Sequence, residues 1–314
     1  MNGSGPRAAL LADGRLHLQH GPIDLIIQAW GERAEVAAAY RQAIARFDDI
    51  LEVLVQELPQ LRTPLGAVPP LLHGPVARRM LTACWPHRAN YITPMAAVAG
   101  AVADEILQAM LLDRVLSKAY VNNGGDIALH LGQSEALTLG VVNDVDNPAI
   151  DATVMLEAAM PVRGLATSGW RGRSQSLGIA DAVTVFACDA ASADATATMI
   201  ANAVNVEHSA ISRLPACKLR ADSDLGELPV TVAVGKLPAP ARAEALARGC
   251  EWARALQRRG LIHAAYLALQ NEVLAVLPAS APDRVAQSAL SEVFRTKWTQ
   301  APLSTARAGT FRPW

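Results

Sequence analysis

The stretch Val121-Asn122-Asn123-Gly124-Gly125-Asp126-Ile127 decides how the middle of this chain folds. An apolar run stops at two asparagines and two glycines and then resumes, which predicts a strand, a tight turn and a second strand. Asn-Gly and Gly-Gly pairs tolerate the positive φ angles of a two-residue hairpin turn. The bare backbone there suits a phosphate or a flat ring, and the Asp126 carboxylate suits a cation or a ligand hydroxyl. An ordinary structural hairpin would contain the same residues.

Several glycine-, serine- and alanine-rich segments surround this turn in a fixed order. They are residues 94–101 (Pro-Met-Ala-Ala-Val-Ala-Gly-Ala), 164–169 (Gly-Leu-Ala-Thr-Ser-Gly), 172–178 (Gly-Arg-Ser-Gln-Ser-Leu-Gly), 192–198 (Ser-Ala-Asp-Ala-Thr-Ala-Thr) and 268–273 (Ala-Leu-Gln-Asn-Glu-Val). Together with the turn, this order resembles the ApbE-like superfamily of flavin transferases, and more closely an uncharacterised cytosolic branch of it. The resemblance covers roughly residues 10–280.

The pattern of apolar residues predicts an α+β fold with mixed or antiparallel sheets and packed helices. The resemblance implies the ApbE-like, T-fold-related version of that architecture. A long amphipathic helix is expected over residues 33–58, and a small-residue helix over residues 94–112 in which Thr93 is the expected cap. We expect one domain over residues 1–280, followed by a C-terminal helix and tail over residues 281–314.

Composition excludes several functional classes. The chain has 28 basic and 29 acidic residues among 314, so it lacks the positive surface that nucleic-acid binding requires. The four cysteines are widely spaced and suit a reducing compartment. We also expect no signal peptide and no membrane-spanning segment, which predicts a cytoplasmic protein, unlike ApbE itself. The alanine-rich composition would suit a homodimer without establishing one.

Asp194 and Thr198 lie four residues apart on a predicted helix, so both point to the same side. A carboxylate and a hydroxyl one turn apart can hold a hard cation. The resemblance implies that this pair binds Mg²⁺, with the backbone carbonyl of Ala166 as a further ligand. Alternatively, Asp194 lies in the first turn of its helix and only satisfies free backbone amides.

The resemblance also implies a pocket for FAD or FMN. The residues expected to line it are Asn123, Gly124, Gly125, Asp126, Thr167, Ser168, Gly169, Arg173 and Ser176. Hydroxyls at a strand end and an arginine in a serine-rich turn suit phosphate or ribose contacts. The implied reaction is attack of a hydroxyl on a pyrophosphate, which transfers an FMN-type group from FAD.

One departure from the superfamily concerns catalysis. ApbE enzymes have a His-Ile-Ile-Asp-Pro loop after the Thr-Ser-Gly segment, and here residues 176–181 run almost directly into the next strand. The obvious candidate base is therefore absent, and Asp126 and Asp181 remain as candidate catalytic carboxylates. Two alternatives stay open: another enzyme on the same scaffold that acts on a different small anionic metabolite, or a non-catalytic flavin- or metabolite-binding protein.

Overall fold

A computed structural model describes residues 5–141, 152–172 and 174–278. Its strands are β1 (Arg7–Leu10), β2 (Leu16–His20), β3 (Ile23–Gly31), β4 (Leu116–Asn123), β5 (Asp126–Leu131), β6 (Ala136–Val141), β7 (Ala152–Glu157), β8 (Gly164–Ser168), β9 (Ala182–Ala187), β10 (Ile211–Pro215), β11 (Pro229–Val234), β12 (Ala264–Leu269) and β13 (Glu272–Val276). Its α-helices are α1 (Arg33–Phe47), α2 (Ile50–Gln56), α3 (Leu58–Leu61), α4 (Pro75–Cys84), α5 (Val98–Leu111), α6 (Ala190–Ala203), α7 (Ala216–Leu219) and α8 (Ala239–Arg258).

Nine of these strands form one sheet in the order β1-β2-β3-β4-β5-β8-β9-β12-β13. Each neighbouring pair is antiparallel. Two further antiparallel pairs, β6–β7 and β10–β11, stand apart from this sheet. The predicted α+β class with packed helices is confirmed, and every strand pairing in the described chain is antiparallel.

The central hairpin forms as its turn residues predict. Asn123 pairs with Asp126, and Gly124 and Gly125 between them have φ angles of 65° and 115°. Such angles are easily reached without a Cβ atom. The Asn122 side chain accepts a hydrogen bond of 2.8 Å from the Gly125 amide. The turn is therefore fixed locally, and both glycines remain exposed to a ligand.

Helices α5 and α6 pack together over the middle of the sheet. One buried cluster joins α1, α4 and α5 to β2–β4, and a second joins α6 and α8 to β9 and β12. A third cluster, built around Leu129, Leu165 and Phe186, lies under the β6–β7 hairpin. Because successive side chains alternate in a strand, the two sides of the sheet have separate cores.

Three details of the helices differ from expectation. The helix predicted over residues 33–58 breaks around Asp48 and Asp49 into α1, α2 and α3. The helix predicted from residue 94 begins with a 3-10 turn, and the Thr93 hydroxyl donates to Asp224 instead of capping it. At this break the Asp49 carboxylate accepts from the Arg46 guanidinium at 2.6 Å and does not cap α2. Strands β1 and β10 were not expected.

Two regions of the prediction lie outside the described residues. These are the C-terminal helix and tail over residues 281–314 and the last residues of a strand expected over 136–143. Within the described chain, Pro94–Leu111 is apolar and long enough to cross a bilayer, with mean hydropathy 1.3, but half of it is buried inside the protein. That burial is typical of a core helix.

Candidate functional site

Three hydrogen bonds join segments that are distant in the sequence. Asn123 Nδ2 donates to the Ala99 carbonyl at 3.1 Å, which fixes the hairpin to the start of α5. The Gly100 amide donates to Asp194 Oδ2 at 3.0 Å, which fixes α5 to α6. The Thr167 amide lies 3.3 Å from Asp126 Oδ1, so the end of β8 meets the hairpin. The structure thus brings the hairpin, α5, α6 and β8 together around two carboxylates.

Asp194 does not cap its helix. Helix α6 begins at Ala190, and the preceding residue Asp189 accepts a 2.7 Å hydrogen bond from the Ser192 amide. Asp189 is therefore the capping carboxylate, in the position where aspartate stabilises a helix start. Asp194 lies one turn further along and directs its carboxylate at α5. Asp194 therefore lies beyond the first turn of its own helix, but it does accept a backbone amide, that of Gly100 in the first turn of α5.

The surroundings of Asp194 disfavour its negative charge. Burial raises the pKa of Asp194 well above its usual range, and the nearby Asp126 carboxylate raises that pKa further. Hydrogen bonds from the Gly100 and Ala99 amides oppose this shift only in part. Two carboxylates held close together in a partly buried place repel each other, and a divalent cation would relieve that repulsion.

A hard cation bound here would have at most two carboxylate ligands from the described residues. No three His, Cys, Asp or Glu side chains of the described residues come together as a metal site. The remaining ligands would have to be neutral oxygens or oxygens of a bound phosphate. Thr198 is half-buried one turn beyond Asp194, and Ala166 is fully buried in β8 opposite Val185. Their part as ligands remains a prediction.

Residues of the Thr-Ser-Gly segment lie beside the two carboxylates. Thr167 is exposed, and its hydroxyl shares a 2.8 Å hydrogen bond with that of Thr184. Ser168 is half-buried, whereas Gly169 is buried against the backbone carbonyl of Asp181. Thr167 and Ser168 are thus the accessible members of this segment. Arg173, also predicted here, lies outside the described residues.

Ser176 and Asp181 are held by other contacts. The buried Ser176 hydroxyl bonds Asn202 Oδ1 at 3.2 Å and accepts from the Gly178 amide. Asp181 accepts from the Trp170 indole and the Arg171 guanidinium, each at 3.1 Å, and from the Gln270 amide at 2.5 Å. These bonds connect the two residues to groups other than the Asp194 and Asp126 carboxylates. Both carboxylate oxygens of Asp181 therefore already accept hydrogen bonds from protein donors.

Comparisons with known proteins show which family this chain belongs to. A family model described as "AbpE bacteria" matches residues 8–275. The chain belongs to this family. It is similar to the "UPF0280 protein" of Methanothermobacter thermautotrophicus, with 38% identity over 133 residues that cover 42% of this chain and 50% of that protein. For the "UPF0280 protein" of Methanosphaerula palustris, identity is 36% over 179 residues, covering 56% of this chain and 70% of that protein.

The AbpE-family chain spans about half the length of most of the curated relatives it matches. Among solved structures, it is similar to the "Flavin Transferase ApbE from Vibrio cholerae" with a TM-score of 0.38 and 12% identity, over 88% of this chain and 97% of the other. A mutant form of that transferase gives a TM-score of 0.40 and 11% identity, over 88% of this chain and 98% of the other.

Two further carboxylates of this AbpE-family chain lie near the site. Asp104 on α5 accepts from the Ala190 and Ala191 amides at 3.0 and 2.8 Å, so it holds the start of α6. Asp224, between β10 and β11, accepts from the Thr93 hydroxyl, and its charge and that of Asp194 both raise the pKa of the buried Cys84. Asp104 follows Gly100 by one helical turn, a spacing that could have revealed it. Asp224 lies in an ordinary polar stretch that gives no such signal.

Adjacent acidic residues on a helix such as Asp104 and Glu105 predict a solvated edge, and the structure contradicts this. Asp104 is partly buried at the α5–α6 junction. Glu105 has only 12% of its side chain exposed and accepts from Arg46 at 2.8 Å and Arg79 at 3.1 Å. Both carboxylates therefore connect helices, because each finds its donors on a different element.

The environment of Asp104 predicts that the free energy of unfolding depends on pH. Burial, and then the nearby Asp189 charge, raise the pKa of Asp104 from 3.8 to about 7 in the folded protein. The folded state then binds this proton more tightly than the unfolded chain, so the free energy of unfolding falls as pH rises from about 4 to about 7. We expect the contribution to reach a few kcal/mol, at about 1.4 kcal/mol per pKa unit.

Urea denaturation of the parent and Asp104→Asn across this pH range measures the contribution. The difference in free energy of unfolding between the parent and Asp104→Asn should change with pH. The control Asp48→Asn, at an exposed position, should give the same pH dependence as the parent. The variant must be compared with the parent because another group also makes stability depend on pH. Burial lowers the pKa of His87 to about 4, and this shift makes the free energy of unfolding rise with pH, opposite to the effect of Asp104. Parallel curves for the parent and Asp104→Asn would show that Asp104 titrates as in the unfolded chain.

Proposed function

We propose that this protein binds a flavin- or nucleotide-type anionic ligand through a divalent cation held by Asp194 and Asp126. The observation that supports this most is the placement of Asp194. Its carboxylate accepts the Gly100 amide of α5 instead of capping its own helix, and burial and then the nearby Asp126 carboxylate of the hairpin raise its pKa. Two carboxylates that destabilise each other's charge make a site that gains by binding a cation.

The neighbouring residues supply what such a ligand needs. Gly124 and Gly125 are exposed and present bare backbone, which permits the close approach of a phosphate or a ring. Thr167 and Ser168, at the end of β8, offer hydroxyls beside the carboxylates. Membership of the AbpE family agrees with a nucleotide-type ligand. We propose Mg²⁺ as the cation and FAD or FMN as the ligand.

The reaction that fits this site is transfer of an FMN-type group from FAD. A hydroxyl would attack the pyrophosphate at the FMN phosphorus, the bond to the AMP phosphate oxygen would break, and AMP would leave with the displaced oxygen. Magnesium bound there would neutralise charge on the phosphate oxygens. Asp126 is the carboxylate best placed to orient the attacking hydroxyl, since Asp181 is bound by Trp170, Arg171 and Gln270.

A second candidate is a non-catalytic flavin- or metabolite-binding protein. Two observations favour it. The His-Ile-Ile-Asp-Pro loop is missing from the sequence, and Asp181, the other candidate base, accepts hydrogen bonds from three donors. A site that retains its cation-binding carboxylates without a base would bind the nucleotide and leave it intact.

Titration of the purified protein with FAD, with Mg²⁺ and with EDTA, tests the proposal. Quenching of flavin fluorescence should report binding that needs Mg²⁺, and chromatography should detect AMP when an acceptor hydroxyl is supplied. Magnesium-dependent binding without AMP would select the non-catalytic candidate. Equal binding in EDTA, or no binding at all, would contradict a cation-mediated flavin site.

A further inference from the structure

A second cleft lies on the far side of the Thr-Ser-Gly segment, between the chain that follows β8 and the β10–β11 hairpin. It has a volume of about 440 Å³, within the range of small-molecule pockets. Its lining residues are Trp170, Arg171, Gly172, Ser174, Gln175, Leu219, Arg220, Thr231 and Val232. None of the lining residues described here takes part in the proposed cation site.

Hydrogen bonds across the base of the cleft hold its two walls together. Gln175 Nε2 donates to the Ala216 carbonyl at 3.1 Å, and the Ser223 hydroxyl donates to Gln175 Oε1 at 2.5 Å. The Thr231 amide donates to the Ser176 carbonyl at 2.9 Å. The cleft is thus formed before any ligand enters, and binding need not order its walls.

The charged residues of the lining are arginines, one of which, Arg171, pairs with Asp181 at 3.1 Å. Two arginines, Arg171 and Arg220, line the cleft, and no lining residue of the described chain is acidic. Asp222, the acidic residue nearest in sequence to Arg220, pairs with Arg62 at 2.8 Å instead. This is the reverse of the cation site, where Asp194 and Asp126 repel each other. Guanidinium groups are the usual protein ligands of phosphates and carboxylates.

A buried hydroxyl in the cleft lacks a partner among the described residues. Thr231 is only 5% exposed, and its Oγ1 atom forms no hydrogen bond within that part of the chain. A buried hydroxyl without a partner costs free energy, so such groups are rare unless a ligand or water completes them. Thr231 lines the same cleft as the two arginines, and a threonine hydroxyl is a hydrogen-bond donor that suits an anionic oxygen.

The remaining walls are apolar or aromatic. The Arg171 guanidinium carbon lies 4.7 Å from the centre of the Trp170 ring, and Asp181 binds both side chains and fixes them. Leu219 and Val232 complete the apolar part. A flat ring could pack against these side chains while an acidic substituent reached the arginines.

We infer that this cleft is a second binding site, for a flat aromatic molecule that has a phosphate or carboxylate group and binds without a metal ion. The acidic group is held by the charges of Arg171 and Arg220 and accepts the Thr231 hydroxyl proton in a hydrogen bond. The ring packs on Trp170 and Leu219.

Ligand-observed NMR with phenyl phosphate in EDTA tests this inference, because it detects the weak binding expected of a small probe. Phenyl phosphate should bind, and benzyl alcohol, which has the ring without the charge, should not. Benzoate separates the two acidic groups: if it binds as well as phenyl phosphate, the natural ligand class includes carboxylates, and if it binds more weakly, the site prefers phosphates. Equal binding of benzyl alcohol, or no binding of either anion, would overturn the inference.

Substitutions locate the bound probe. Arg220→Gln should weaken binding of phenyl phosphate by about tenfold, since a hydrogen bond to a charged group is lost. The control Arg248→Gln makes the same charge change on α8, where Arg248 is exposed and pairs with Glu244, and should leave binding unchanged. Equal weakening by both variants would mean that only net charge matters and would refute the site.

Thr231→Val gives a result that a structural role would not produce. Valine keeps the shape and removes the unpartnered hydroxyl, so thermal stability should stay the same or rise, while the Kd for phenyl phosphate rises about threefold to tenfold. Lower stability with unchanged binding would show that the hydroxyl is structural and contradict the inference. Asp194→Asn should bind phenyl phosphate as the parent does. The absence of phenyl phosphate binding would therefore count against the cleft and not against the cation site.

Discussion

Asp194→Asn is expected to weaken magnesium-dependent binding of FAD by at least about a hundredfold, the upper end of what loss of a group supporting a metal costs. The amide has no negative charge and binds Mg²⁺ far less well than a carboxylate. Asparagine has the same shape, and its oxygen can still accept the Gly100 hydrogen bond, which is 3.0 Å long in the parent. Isothermal titration calorimetry with FAD, at fixed excess Mg²⁺, measures the change.

The same variant should fold at least as well as the parent. Burial and the Asp126 charge raise the pKa of Asp194, so folding at neutral pH has the cost of either keeping this carboxylate charged or protonating it. Replacing the carboxylate with a neutral amide removes the cost. We therefore expect the melting temperature to be unchanged or higher while binding is lost, the combination expected of a functional carboxylate.

Asp189→Asn is the matched control, because it makes the same chemical change at the start of the same helix. Asparagine caps helices as well as aspartate does, so it should preserve the start of α6, and it leaves Asp194 in place. This variant should bind FAD and Mg²⁺ like the parent. If Asp194→Asn also bound like the parent, Asp194 would be a structural link between α5 and α6 and nothing more.

Gly164→Ala is expected to destabilise the protein by about 3 kcal/mol or more. A Cβ atom at Gly164 would lie 2.0 Å from the Asp189 carbonyl carbon and 2.1 Å from the Ala190 nitrogen. Both atoms belong to the backbone at the start of α6, which cannot move without breaking its hydrogen bonds to Asp104. One methyl group would therefore lift α6 from β8. Guanidinium denaturation should show a lower midpoint.

Gly66→Ala provides the comparison for this substitution. A Cβ atom at Gly66 would meet nothing within 4 Å, so the change in stability should stay within about 1 kcal/mol. An unchanged denaturation midpoint for Gly164→Ala would mean that α6 does not lie as close to β8 as the structure places it. The convergence of α6 with the hairpin would then be wrong as well.

The sequence predicted those elements whose conformation depends on residues close together in the chain. The Gly124-Gly125 pair determines its own turn, because positive φ angles there need residues without a Cβ atom. The small residues of α5 likewise predicted a closely packed helix. The break near Asp48 was missed, since the apolar spacing continues through it and no glycine or proline marks it. Strand β10 was missed because its side chains alternate between half-buried and exposed and none is fully buried.

The site was predicted only in part, for a related reason. The meeting of Asp194 with the Gly-Gly-Asp hairpin was expected from the order of motifs, since no spacing rule relates residues so far apart. Asp104 and Asp224 were missed because their partners lie far away in the sequence: Asp104 binds the start of α6, and Asp224 binds Thr93. Ser176 was predicted for the flavin pocket and Asp181 for catalysis, but Ser176 donates to Asn202 and Asp181 accepts from Trp170, Arg171 and Gln270.

Anomalous diffraction from crystals grown with Mn²⁺ and FAD tests the central claim most directly, since manganese replaces magnesium and can be located without assuming its ligands. We predict one strong peak about 2.1–2.4 Å from an Asp194 carboxylate oxygen, between the Gly124-Gly125 turn and Thr167, with flavin-nucleotide phosphate beside it. A manganese peak remote from Asp194, or nucleotide bound with no metal near that carboxylate, would contradict the cation-mediated site.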